Sequence, residues 1–196
     1  MTAVPDDGLI RCGWADIRLG TDSTLYRDYH DNEWGRPVRS GVALFERMSL
    51  EGFQSGLSWL TILRKRENFR RAFAGFDIEK IARYTDDDVV RLMADQGIVR
   101  NLAKIEATIA NARAAADLGG AEQLAELLWS FAPPPRPRPA DASEIPAATA
   151  ESKAMARELK RLGFRFVGPT TAYALMQATG MVDDHLRTCW VPPAAR

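Results

Sequence analysis

The sequence predicts an all-α fold on three observations. Apolar residues recur at helical spacing along most of the chain, capping and stop residues bracket those runs, and period-two alternation rich in Val, Ile and Thr is almost absent. Leu44, Phe45, Met48 and Phe53 form the first apolar stripe, and Trp59, Leu63 and Phe69 a second. Thr85 precedes Asp86, Asp87 and Asp88, an N-cap with acids in the first turn, ahead of Val89, Val90, Leu92 and Met93. The spacing of Ile105 and Ile109 predicts a long helix over 98–118, stopped by Gly119 and Gly120, and Leu124, Leu127, Leu128 and Phe131 continue the pattern. The Pro-rich run at 133–140 breaks it. This stretch is expected to be an extended, exposed loop linking two helical lobes of one unit spanning 1–196.

At 196 residues, a chain can bury about 70% of its unfolded surface and needs no disulfide to build a core. No apolar run approaches the ~18 residues of a membrane span. Met1 to Leu9 carries Asp6 and Asp7 and no apolar core, so it does not read as a secretory signal. With two cysteines, a reducing, cytoplasmic home is the expectation, with no membrane partner. Twenty-six basic and 26 acidic residues cancel, so total charge does not announce a nucleic-acid partner, and local clusters must be weighed instead.

The chain has two Cys and two His, and they fall in two patches. Cys12 and His30 lie near the start; His185 and Cys189 lie four apart near the end, on one face if that segment is helical. Four soft ligands suit a closed tetrahedral Zn²⁺ clipping the two ends together. Two incidental histidines and two buried thiols are the alternative, which spacing alone leaves open.

Residues 159–180 read as helix, tight turn, helix. Gly163 supplies a left-handed stop, and Gly168 precedes Pro169 at a favoured first helical position. The second helix then offers free backbone N–H groups to an anion such as a phosphate, with Lys160, Arg161 and Arg165 beside it. This resembles the helix-hairpin-helix motif, which grips a DNA backbone without reading sequence. An ordinary helical corner is the bland reading. A second basic run, Arg64, Lys65, Arg66, Arg70 and Arg71, is either a solvated face or the other half of a phosphate-binding surface.

Trp14, Trp34 and Trp59 fall in the first third of the chain with Tyr26 and Tyr29. Core packing is their plain explanation. Glu51, however, stands seven residues beyond Leu44, on the same apolar stripe. A carboxylate there must be paired or must serve a ligand, because an unpaired buried charge is costly. An aromatic cage with one buried acid suits a flat, cationic guest.

These residues fall within blocks similar to a known family. Arg11-Cys12-Gly13-Trp14, Tyr29-His30-Asp31-Asn32-Glu33-Trp34-Gly35, Leu50-Glu51-Gly52, Gly56-Leu57-Ser58-Trp59 and Lys65-Arg66-Glu67-Asn68 resemble the 3-methyladenine DNA glycosylase I family. So do Trp129-Ser130-Phe131, the hairpin from Gly163 to Gly168, and Asp184-His185, and the likeness runs from about Arg11 to Cys189. The resemblance implies the helix-hairpin-helix glycosylase fold and one structural zinc at Cys12, His30, His185 and Cys189. It further implies a repair enzyme that flips N3-methyladenine out of alkylated double-stranded DNA and hydrolyses its glycosidic bond. No lysine stands out as a Schiff-base nucleophile, so no strand cleavage is expected, and a monomer is the expectation. Trp59 would stack on the base, with Glu51 and Tyr29 hydrogen-bonding it and Trp14, Tyr26 and Trp34 completing the pocket. In the loop holding Gly56 and Leu57, Leu57 would fill the gap left by the flipped base; a buried leucine is the alternative. Gly163 and Gly168 would hold the DNA backbone.

Many related glycosylases place an Asp some fifteen to twenty residues beyond the hairpin, but this family is described as lacking it in that role. Asp183 stands at comparable spacing and is expected to cap a helix carrying the zinc ligands. The stretch between Trp14 and Tyr26 and the Pro-rich run depart from the family pattern and are expected to affect loops alone. Competing classes are a zinc-stapled DNA-binding module and a zinc hydrolase with His30 and Glu33 at an open metal. The first needs no buried Glu51, and the second needs a vacancy that four ligands fill.

Overall fold

Ser40 opens the helix around which the rest packs: its hydroxyl accepts from the Ala43 backbone and starts α2, Gly41–Gln54. The computed structural model describes residues 7–15 and 22–194. Most of the stretch between Trp14 and Tyr26 thus lies outside the described residues. Among them the regular elements are all helical. Before α2 come a 3₁₀ turn at Gly13–Ala15 and α1, Asp22–Asn32. After it come α3 (Trp59–Ala72), α4 (Ile78–Ala82), α5 (Asp86–Ala94), α6 (Leu102–Asp117), α7 (Ala121–Trp129), α8 (Ala150–Arg161) and α9 (Pro169–Ala178). Short 3₁₀ turns sit at Ala74–Phe76 and Ala142–Glu144.

Leu44, Phe45, Met48 and Phe53 are buried as their spacing predicts, and α2 lies against α3, α7 and α9. Phe53 meets Phe69 of α3 at 4.6 Å between ring centres, and Phe73 stacks on Phe76. Thr85 caps α5 as expected, and the Asp88 carboxylate accepts from the Thr85 backbone N–H to complete a capping box. In the predicted hairpin, Gly163 adopts φ +91°, and Pro169 opens α9. No helix among the described residues is long and apolar enough to cross a membrane.

Two expectations need correction. The helix predicted over 98–118 begins at Leu102, because the Asn101 side chain accepts from the Lys104 backbone and caps it there. The segment carrying His185 and Cys189 is not helical: Asp183 accepts from the His185 backbone N–H, and the Arg187 N–H is taken by Pro139 O. Asp183 therefore caps no helix; its other oxygen binds Arg138 Nε at 2.8 Å. The Pro-rich run is irregular and exposed over 134–137, as expected, and it is also tied down. Arg136 reaches Asp184 at 2.7 Å, and Arg138 holds Asp183 and Val191 O, strapping the run to the C-terminal segment.

Candidate active site and metal centre

The turn at Gly13–Ala15, helices α1 and α2, the start of α3 and helix α9 converge on a cavity of about 430 Å³. All six aromatic-box and acid positions singled out in the sequence line it: Trp14, Tyr26, Tyr29, Trp34, Glu51 and Trp59. Tyr26 and Tyr29 sit three apart on α1 and so share a face. Trp14 meets Trp34 edge-on at 5.1 Å and Tyr26 at 5.8 Å, while Tyr29 tilts toward Trp59 at 5.3 Å. The Trp59 indole N–H is buried without a hydrogen-bond partner.

Glu51 projects from α2 with 7% of its surface exposed, and it makes no hydrogen bond among the described residues. Burial pushes its carboxyl up to about 8, against the pull of Arg47 one turn earlier. Arg47 does not lock it, because that guanidinium pairs with Glu33, which also accepts from Arg66 at 2.7 and 2.8 Å. Burial also pushes the Tyr29 phenol well above its usual range, with the Glu51 charge adding to the rise, so it stays a hydrogen-bond donor. The cavity thus offers indole and phenol faces, the Tyr29 hydroxyl as a donor and one carboxyl that an arriving cation would ionise.

Gly56 and Leu57 lie outside that lining. They sit in the loop between Gln54 and Trp59, both of which touch the cavity, so the loop stands at its rim. Gly56 has φ +81°, and Leu57 is 42% exposed, which excludes the buried-leucine reading. Gly163 and Gly168 are likewise outside the cavity, in the hairpin leading into α9. That hairpin is held by Asn111 of α6, whose side chain bonds both the N–H and the C=O of Arg165. Much of the second basic run is engaged within the protein. Arg66, Arg70 and Arg71 are bound to Glu33, Glu46 and Asn68, and Lys65 donates to Gln96 O and Gly97 O.

Sequence reasoning missed Gln54, Gln177, Ala142, Ile145 and Ala174, which complete the lining. Gln54 was within reach, three residues after Glu51 on the same helix. The others come from α9 and from the stretch after the Pro-rich run, where no local pattern points to a cavity.

Behind the box, Cys12, His30, His185 and Cys189 are all buried, with ligand atoms within 4.8 Å of one another. Cys189 Sγ lies 3.6 Å from both His30 Nε2 and His185 Nδ1, and Cys12 Sγ lies 3.8 Å from His185 Nδ1. The far nitrogens are held from outside: His30 Nδ1 by Asp31 at 2.7 Å, and His185 Nε2 by Trp34 O at 3.1 Å. Arg11 in turn grips Asp31 through Nε and Nη2. Gly35 has φ +74°, and a Cβ there would meet His185 Nε2 at 3.0 Å, so the glycine lets the chain pass close to the centre. This group can hold a metal ion. Burial otherwise pushes the Cys12 thiol up to about 12 and the His185 imidazole down to about 4. Glu33 is no partner to it, being held by Arg47 and Arg66.

An all-helical shell thus encloses a cavity in which one buried carboxyl stands among indole and phenol rings, and comparison with known proteins gives the class of the molecule. The sequence pattern of the methyladenine glycosylase family matches residues 19–192. The chain is 45% identical over 186 residues to DNA-3-methyladenine glycosylase 1 of Escherichia coli (strain K12), spanning 93% of this chain and 97% of that one. A crystal structure of a 3-methyladenine DNA glycosylase I superposes with a TM-score of 0.85 at 44% identity, covering 94% of this chain and 100% of that one. A variant of that enzyme type in complex with 3-methyladenine superposes at 0.82 with 34% identity, covering 88% and 95%. The chain belongs to the methyladenine glycosylase family and is a glycosylase.

Proposed function

We propose that this chain excises N3-methyladenine from alkylated double-stranded DNA as a monofunctional hydrolase. The observation carrying the reading is Glu51, buried, free of any locking partner and facing a cavity walled by aromatic rings. Methylation at N3 places a positive charge on the adenine ring. That charge draws Glu51 into its ionised form and favours the faces of Trp14, Trp34 and Trp59. Neutral adenine lacks both attractions and leaves the acid protonated.

The alkylated base is a ready leaving group. Water adds to C1′, the N-glycosidic bond breaks, and its electron pair neutralises the ring. The water's second proton goes to solvent. The protein's part is to flip the nucleotide, stack the base on Trp59 and hold it with Glu51 and Tyr29. Leu57, exposed at the rim, fills the space in the duplex. Past Gly163 and Gly168, the open N-terminus of α9 takes a backbone phosphate beside exposed Lys160 and Arg165. Nothing in the reaction needs a lysine nucleophile, so strand cleavage is not expected. All the box residues come from one chain, so a monomer suffices.

Zinc is the metal we assign to Cys12, His30, His185 and Cys189. Tetrahedral Zn²⁺ with such ligands has edges of about 3.4–3.8 Å, which the observed 3.6 and 3.8 Å separations fit. With all four positions filled by protein, the ion supplies structural closure and no chemistry at the base. Incubating the protein with methylated duplex DNA and chromatographing the released bases tests the reading. Free 3-methyladenine with uncut strands is expected, and release of no methylated base would overturn it.

A further inference from the structure

The Pro-rich run, which the reaction above leaves unused, is tied to the cavity through a chain of side chains. Arg136 Nη2 donates to Asp184 Oδ1 at 2.7 Å and to the Tyr173 hydroxyl at 2.8 Å. Tyr173 donates onward to Asp184 Oδ2 at 2.5 Å, and Gln177 Nε2 donates to that same oxygen at 2.9 Å. Asp184 is buried, and Gln177 lines the cavity. We infer that Gln177 is a further base-recognition residue, and that Arg136 is the positioning residue that orients it through Asp184.

A carboxylate paired with arginine accepts only, so it takes the NH₂ side of the Gln177 amide. The amide oxygen, with no partner among the described residues, is left as the acceptor that Gln177 offers to a guest. A fixed carbonyl favours an N–H donor on the ring and repels a carbonyl in the same place. Between purines methylated at N3, it therefore selects the exocyclic amine of adenine over the carbonyl of guanine. Tyr173 and Asp184 cannot hold that orientation as firmly without Arg136, which neutralises the buried acid from the strap. The nearby stretch also brings Ala142 and Ile145 to the wall, so the strap shapes the pocket as well as orienting its amide.

This inference rests on the excision reading, and the experiment separates the two. The release rates of 3-methyladenine and 3-methylguanine from methylated duplex DNA are measured for wild type, Gln177→Met, Arg136→Met and Arg136→Lys. Wild type is expected to prefer 3-methyladenine. Gln177→Met should lower the adenine-to-guanine ratio about tenfold, the effect of one lost hydrogen bond and one relieved clash. Arg136→Met should lower it several-fold in the same direction, and Arg136→Lys should keep it near wild type. A merely structural role would slow both bases together, so a ratio within twofold of wild type in Gln177→Met overturns the inference whatever the absolute rates. A lowered ratio in Gln177→Met with none in Arg136→Met overturns the part assigned to Arg136. Should Gln177→Met not fold, Gln177→Leu is read in its place by the same criterion. A wild type that releases neither base contradicts the excision reading itself.

Discussion

Glu51 was legible as an anomaly, a carboxylate on an apolar stripe, and the structure gives that anomaly a cavity. What no local pattern revealed was its freedom, which depends on Glu33 drawing Arg47 away. The raised carboxyl makes a stability prediction. In the unfolded chain Glu51 ionises near its ordinary 4.5, in the folded protein near 8, so the folded state binds the extra proton between those values. The native state is favoured below 4.5 and progressively loses that advantage as pH rises through 8. Glu51→Gln, unable to ionise, should therefore melt several degrees above wild type at pH 9, at about 2–4 °C per kcal/mol for a chain of this size, and the gap should close by pH 5. A pH-independent difference in melting temperature would show that the side chain is not desolvated. Gln177 had no signal at all, because its importance comes from Asp184 and Arg136, neither of which is near it in sequence apart from the seven-residue step to Asp184.

At the scale of elements, the caps were the most readable feature. Thr85 and Pro169 open helices where the sequence placed them. The errors arose where a side chain competes with helix formation. Asn101 stops the apolar pattern of Ile98 from being helical, and Asp183 turns the chain ahead of His185. The short α4, capped by Asp77, offered too few residues for a period to emerge. The rim loop and the hairpin make distinguishable predictions. On the proposed wedge role, Leu57→Gly should slow excision from duplex DNA about tenfold or more, yet leave binding of free 3-methyladenine unchanged by tryptophan quenching. Equal loss in both assays would mean that Leu57 shapes the pocket instead. Gly163→Val forces a branched side chain into φ +91° and should lower melting temperature by several degrees. No change would place that turn outside the stable core.

Across the whole molecule, the paired Cys and His patches foretold that the chain ends meet, while the fold shows what lies beside them. Trp34 lines the cavity and also packs edge-on against His185 at 4.7 Å, so the Cys/His cluster and the cavity share a wall. Cys189→Ala should consequently lose bound zinc, melt on the order of 10 °C lower and bind free 3-methyladenine more weakly, all measurable on one preparation. A metal-free protein of unchanged melting temperature would contradict the clip. The basic run from Arg64 to Arg71 illustrates the limit of reading charge from sequence. Besides Glu67, three residues before Arg70 on the same helix, its acidic partners are Glu33 and Glu46, more than twenty residues away, which the packing of α3 on the neighbouring helices brings to it.

Everything at the site turns on whether an ionisable acid at position 51 captures the charged base. Single-turnover release of 3-methyladenine from methylated duplex DNA, compared between wild type and Glu51→Gln at matched folding, measures this most directly. The account predicts a fall of at least about a hundredfold with far-ultraviolet circular dichroism unchanged, the magnitude expected when a charged hydrogen-bond partner is removed from a buried site. Release within threefold of wild type by a folded Glu51→Gln protein would contradict it.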